Sequence, residues 1–111
     1  MISERTMRKV NQVLFKIKET LERVYGNRFI EIIIYGSIAR GTFNKDSDID
    51  IALILKGKVN KSKEINRIYD VIYDLILETG ELISINPISE KEIQNPNWPL
   101  YHHIRSEGMK F

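Results

Sequence analysis

Two aspartates separated by one residue, Asp48 and Asp50, stand at the start of an apolar run, Ile49-Asp50-Ile51-Ala52-Leu53-Ile54-Leu55. That run reads as a β-strand. Side chains on a strand alternate faces, so the two carboxylates project to one side, about 7 Å apart along the backbone, while Ile49 and Ile51 point the other way. Paired carboxylates at the mouth of a buried strand are costly to desolvate, and a bound divalent cation is a common way to make them tolerable. Clustered hard oxygens favour magnesium or manganese, and the chain has no cysteine to offer a softer ligand.

A second chemically suggestive stretch lies just upstream, where the isoleucines 32–34 run through Tyr35 into Gly36-Ser37 and on to Gly41. A short helix over residues 37–41 would turn its free amides back toward the Gly-Ser turn and favour an anion there. Two strands therefore bracket a glycine-bearing loop, with residues 42–47 as its polar part.

Gly-Ser, ten residues and Asp-x-Asp together resemble the signature of the DNA polymerase β-like nucleotidyltransferases, specifically the minimal nucleotidyltransferases. The residues that carry the resemblance are Gly36, Ser37, Ala39, Arg40, Gly41, Ser47, Asp48, Ile49 and Asp50. The resemblance implies an α+β nucleotidyltransferase fold, a small mixed sheet packed with helices. It also implies transfer of a nucleoside monophosphate, AMP from ATP above all, to a hydroxyl. Asp48 and Asp50 would be the catalytic and metal-binding pair for Mg2+ or Mn2+. Gly36, Ser37, Arg40 and Ser47 would bind the triphosphate of ATP or another nucleoside triphosphate. The family usually adds a third carboxylate from the next core strand, and here Ser84 falls where an aspartate is expected. Glu81, three residues earlier, and Asn86, on the same strand face as Ser84, are the other oxygen donors nearby. Minimal nucleotidyltransferases often act as antitoxins that modify a HEPN-domain ribonuclease, which makes such a protein the expected partner. The missing carboxylate keeps a second reading open: a weakened, nucleotidyltransferase-like module that regulates a partner by contact.

The elements that must position these residues follow from hydrophobic spacing. Met7, Val10, Val13, Leu14, Ile17, Leu21 and Val24 recur every three or four residues, predicting a helix over 3–25 capped by Ser3 and stopped by Gly26. Strands are expected at 29–35, 48–55 and 81–86, the last ended by Pro87. Glu31 interrupts the first strand and suggests an edge. A helix over 63–79, capped by Ser62 and stopped by Gly80, places Ile65, Ile68, Tyr69, Ile72, Leu75 and Ile76 on one face. Ser89 and Glu92 fit a capping box that opens a short helix, and Pro99 suits the first turn of a last helix closing near Gly108.

The lysines of Lys56-Gly57-Lys58-Val59-Asn60-Lys61-Ser62-Lys63 read as a solvated loop, with a phosphate or partner contact as the alternative. His102 and His103 are adjacent on a helix and diverge, which argues against a metal pair. Asn97-Trp98-Pro99 can offer an aromatic anchor.

At 111 residues the chain is expected to be one nucleotidyltransferase domain, residues 1–111, with 42% hydrophobic and 29% charged residues typical of globular proteins. A net charge of +2 is too small to indicate nucleic-acid binding. No apolar run is long enough to span a bilayer, and MISERTMRKV lacks the features of a secretory signal, so the expected location is cytoplasmic.

Overall fold

Ser3 starts the first helix as the spacing predicts. Its Oγ accepts the Thr6 amide at 3.1 Å, and α1 runs Glu4–Tyr25 to Gly26, whose positive φ of 52° and N–H bond to the Glu22 carbonyl end it. The structure, a computed structural model, describes residues 3–44 and 46–111; Lys45, within the expected polar loop, lies outside them. After a 3-10 turn at Gly26–Arg28 come β1 (Phe29–Tyr35), the short α2 (Ser37–Arg40), β2 (Ile49–Leu55), α3 (Lys61–Thr79), β3 (Ile83–Ser89), a second 3-10 turn (Glu92–Gln94), α4 (Pro99–Glu107) and β4 (Met109–Lys110).

The strands form one mixed sheet in the order β3-β2-β1-β4. The β1–β2 and β1–β4 pairs are antiparallel and β2–β3 is parallel, with α3 as the crossover that parallel strands require. Alternation divides the side chains between two faces. Ile32, Ile34, Ile49, Ile51, Leu53, Leu55, Ile83 and Ile85 meet α1 and α3, chiefly through Val10, Val13, Leu14, Ile17, Leu21, Ile68 and Ile72. The opposite face carries Ile33, Ala52, Ile54 and Ile88, covered by Ile93 and by Tyr101 and Ile104 of α4. This second cover packs against only part of its face, and Asp50, Tyr35 and Ser84 share that face at the end where β2 and β3 begin.

β2 starts at Ile49 and β3 at Ile83, one and two residues later than expected, so Asp48 and Glu81 lie outside the strands, and four further features depart from the sequence expectation. First, β3 continues through Pro87 to Ser89 instead of stopping. It is an edge strand, and Ile85, two residues earlier, gives its N–H outward to the Tyr69 hydroxyl at 3.2 Å; Pro87 has the same parity, so its missing N–H falls on the open edge. Second, because the strand takes Ser89, the capping box keeps only one half. Ser89 Oγ still accepts the Glu92 amide at 3.0 Å, but a single 3-10 turn follows, and the Glu92 carboxylate accepts from Tyr101 instead. Third, α3 begins two residues early because Asn60, not Ser62, is the cap, its Oδ1 accepting the Lys63 amide at 3.2 Å. Fourth, β4 adds a strand with no periodic signal. It pairs with Ile33 and Ile34, and the Phe111 amide that follows donates to the Ile32 carbonyl at 3.1 Å; beyond it Glu31 pairs with Lys110 at 3.5 Å.

Arg28 fixes the approach to α3. It donates to the Lys56 and Lys58 carbonyls and to the buried Glu64 carboxylate at 3.1 Å, and Tyr25 donates to the same carboxylate at 3.2 Å. Two of the lysines in that loop thus supply backbone for an arginine anchor. Among the described residues no helix is long and apolar enough to cross a membrane.

Candidate active site

β1 ends at Tyr35, and Gly36 turns the chain at φ 71° and ψ −141°, a conformation that a side chain strongly disfavours. The turn also brings Gly36 against β2. A Cβ at residue 36 would run into the Asp50 carboxylate, 3.1 Å from its Cγ and 3.3 Å from its Cβ. The glycine is required twice over, for conformation and for the room it leaves Asp50. The Gly-Ser turn and the Asp-x-Asp pair, ten residues apart in sequence, are therefore in contact.

Beyond the turn, α2 makes its first internal hydrogen bond from the Arg40 amide to the Gly36 carbonyl at 3.1 Å, so the amides of Ser37, Ile38 and Ala39 have no partner within the helix. The Ser37 hydroxyl is buried with no hydrogen-bond partner among the described residues. A buried hydroxyl without a partner is uncommon.

The loop between α2 and β2 is held by Asn44 and Ser47, whose backbone bond of 3.0 Å is reciprocated by the Asn44 amide donating to Ser47 Oγ at 3.1 Å. Ser47 therefore shapes the turn that delivers Asp48; among the described residues its hydroxyl donates to no partner. Asp48 is exposed and Asp50 half-buried. Burial and the neighbouring Asp48 charge raise the Asp50 pKa above the usual carboxylate range, and the Arg40 guanidinium opposes them. Arg40 thus lies close enough to act on Asp50, on the solvent side of α2.

Across the sheet Asp50 is flanked on both sides. Tyr35 stands opposite it on β1 and Ser84 opposite it on β3, all three on one face. Ser84 is the direct lateral neighbour of Asp50, as the strand alignment predicts, and Asn86 shares its face. Among the described residues no group of three or more Asp, Glu or His side chains is placed to hold a metal ion. His102 and His103 are exposed on α4, with His103 against Glu107 at 3.6 Å. Trp98 is 59% exposed.

Tyr35 is a member of this row that sequence reasoning missed. The signal was present in the strand parity, since Tyr35 directly precedes Gly36, but its pairing with Asp50 depends on the β1–β2 register. Lys61 is likewise more than a solvated loop residue. It opens α3 and its Nζ donates to Asn86 Oδ1 at 3.4 Å and to the Tyr101 hydroxyl at 3.2 Å.

Residues 14–97 match the family model described as a nucleotidyltransferase domain. The Methanocaldococcus jannaschii protein named "Putative protein adenylyltransferase MJ0604" is 33% identical over 91 residues, covering 79% of this chain and 83% of the relative. A second protein of that organism, "Putative protein adenylyltransferase MJ1305", is 30% identical over 80 residues, covering 71% of this chain and 53% of its own length. The chain thus corresponds to about half of that second relative. Two crystal structures share the fold, each with a TM-score of 0.60. One, described as a putative nucleotidyltransferase from Sulfolobus solfataricus, is 18% identical and matches 96% of this chain and 79% of that one. The other, a mutant of the toxin–antitoxin complex MntA–HpeT, is 19% identical and matches 86% and 69%.

Proposed function

The chain belongs to the nucleotidyltransferase domain family, and from that premise we propose that it transfers AMP from ATP to a hydroxyl of a partner protein, using magnesium or manganese held by Asp48 and Asp50. The observation that carries this reading is the contact between the Gly36 turn and the Asp50 carboxylate, which brings a phosphate cradle and a cation site together. The residues present fit both groups. Asp48, just before β2, and Asp50 within it offer hard oxygens, the Ser37 hydroxyl is buried without a partner among the described residues, and the bare Gly36 leaves space a side chain would fill. When bound, the cation neutralises phosphate charge and polarises the phosphoryl group.

The protein's own contribution is positioning and charge compensation. The Ser37 hydroxyl and the amides of Ser37, Ile38 and Ala39 donate to triphosphate oxygens. Arg40 adds a positive charge on the same helix, and Ser47 holds the loop that presents Asp48 while its hydroxyl donates to the nucleotide. The acceptor oxygen bonds to the α-phosphorus, the bond from that phosphorus to the β-phosphate's bridging oxygen breaks, pyrophosphate leaves, and the acceptor's proton passes to water. Residues 1–111 act in this as one nucleotidyltransferase domain, in the cytoplasm.

The names of the Methanocaldococcus relatives support AMP as the group and a protein as the acceptor. The toxin–antitoxin fold neighbour supports a toxin as that protein, which we take to be of the HEPN ribonuclease class. One observation favours a second reading, in which the chain restrains its partner by contact: Ser84, neutral, occupies the position beside Asp50.

The test is an incubation with α-labelled ATP, magnesium and the candidate HEPN partner. Label should pass to the partner and be lost when Asp48→Asn and Asp50→Asn are combined. A partner silenced without label would overturn transfer in favour of contact. Neither label nor silencing would overturn both.

A further inference from the structure

The flank of α3 beside β3 carries large apolar side chains that the fold leaves exposed. Tyr69 lies against the open edge of β3, donating from its hydroxyl to the Ile83 carbonyl at 3.1 Å and accepting the Ile85 amide at 3.2 Å. Residues four apart on a helix stack along one flank, so Ile65 and Tyr73 lie on either side of Tyr69, and Leu77 follows Tyr73. Tyr73 is 58% exposed, Leu77 65% and Ile65 37%. Beyond Gly80, Leu82 is exposed as well, and its carbonyl accepts the amide of Ile49, the residue between Asp48 and Asp50, at 2.8 Å. The apolar row therefore runs along α3 to the end of the sheet that holds the candidate site.

The charges around this row select what it can receive. Residues 68–82 hold four acids, Asp70, Asp74, Glu78 and Glu81, and no lysine or arginine, in a chain whose net charge is +2. Asp70 and Asp74 stand three positions before Tyr73 and Leu77, one step round the helix from them, and both are exposed. Two basic residues of α3 are directed elsewhere, Arg67 to the Val24 carbonyl at 3.0 Å and Lys61 to Asn86 and Tyr101. Two copies of this chain packed through the row would set acids against acids, and an anionic bilayer would be repelled in the same way. Strand addition is closed too, because the Tyr69 hydroxyl occupies the β3 edge at Ile83 and Ile85 and Pro87 has no N–H to give.

We infer that this flank of α3 is the docking surface for the partner protein, which meets it with an apolar patch rimmed by lysine and arginine. That the partner is also the acceptor rests on the nucleotidyl-transfer reading of the site. The exposed tyrosine and leucines supply the contact, and the opposed charges at the rim speed the encounter and reject partners of the wrong sign. A partner seated there lies next to the strand end where Leu82 meets the Asp-x-Asp pair, so its hydroxyl approaches the nucleotide from the β3 side.

Tyr73→Ser combined with Leu77→Ser removes the contact at two exposed positions and should leave the melting temperature unchanged. The calorimetric Kd for the candidate HEPN partner should rise on the order of tenfold or more, and its KM in label transfer should rise with it, while kcat and magnesium–ATP affinity hold. Asp70→Asn with Asp74→Asn should slow association and flatten its dependence on salt; a rate indifferent to both would overturn the basic rim. Phe15→Ser, on α1 and 67% exposed, is the comparison and should change nothing. If the parent binds the partner and the Tyr73 and Leu77 double variant binds it as tightly, or if Phe15→Ser weakens binding as much, the inference fails alone. A parent that does not bind the partner, or that forms a dimer broken by the same two substitutions, also overturns it. Binding that depends on Tyr73 and Leu77 but yields no label upholds the surface and overturns the transfer reading.

Discussion

Replacing Gly36 by alanine tests the contact on which the site depends. Two penalties are expected. Forcing an L-residue to φ 71° and ψ −141° costs on the order of 1–3 kcal/mol. The new methyl group also meets the Asp50 carboxylate, so either the turn or the aspartate has to move. Gly41 supplies a comparison, because it also has a positive φ, 75° with ψ 16° in the milder left-handed region, but a Cβ there meets nothing within 4 Å. Gly41→Ala should therefore show a backbone penalty of about 1 kcal/mol, and Gly36→Ala roughly 2–4 kcal/mol in all. For a domain of this size each kcal/mol lowers the melting temperature by about 4–8 °C, so denaturant or thermal unfolding resolves the two. Asp50→Ala removes the obstructing carboxylate, and in that background the cost of Gly36→Ala should shrink toward its backbone part, a non-additivity expected only of residues in contact. If Gly36→Ala costs no more than Gly41→Ala, or if its cost is the same with and without the Asp50 carboxylate, the close approach of turn and strand is refuted.

Ser84→Asp should raise nucleotidyl transfer by as much as about a hundredfold with little change in ATP affinity, measured as kcat against calorimetric Kd, because it puts a carboxylate directly beside Asp50. Asp50 also sets a pH dependence in metal-free protein. Its folded pKa lies above the unfolded value of 3.8, so the folded state binds more protons in that interval and stability falls as pH rises from 3.8 through the folded pKa. Asp50→Asn removes the term, and thermal unfolding from acid to neutral pH should show the variant gaining on the parent as pH rises. A parent and variant with parallel pH profiles would show that Asp50 carries no such strain.

Much of the site was legible because it is written in local spacing. Asp-x-Asp before an apolar run puts Asp50 at the start of β2 with Asp48 just ahead of it, and Gly-Ser before a four-residue helix announces a turn. Ser84 could be placed because the parity of β3 leaves few alternatives. The helix limits at Ser3, Gly26, Gly80 and Pro99 were set by the capping chemistry of single residues. What stayed hidden depends on the order and register of strands far apart in sequence. Pro87 is tolerated within β3 only because that strand lies at the edge, and Ser89 loses its helix because the strand has already taken it. The two-residue β4 exists because Gly108 lets the chain pass over the end of α4, where a Cβ would meet the Ile104 carbonyl and Ile33. Likewise, nothing in the neighbours of Tyr35 says that it stands opposite Asp50, or that Lys61 reaches Asn86. A side chain's face is decided by the residues beside it, but its hydrogen-bond partner is decided by whichever strand the folded sheet sets alongside.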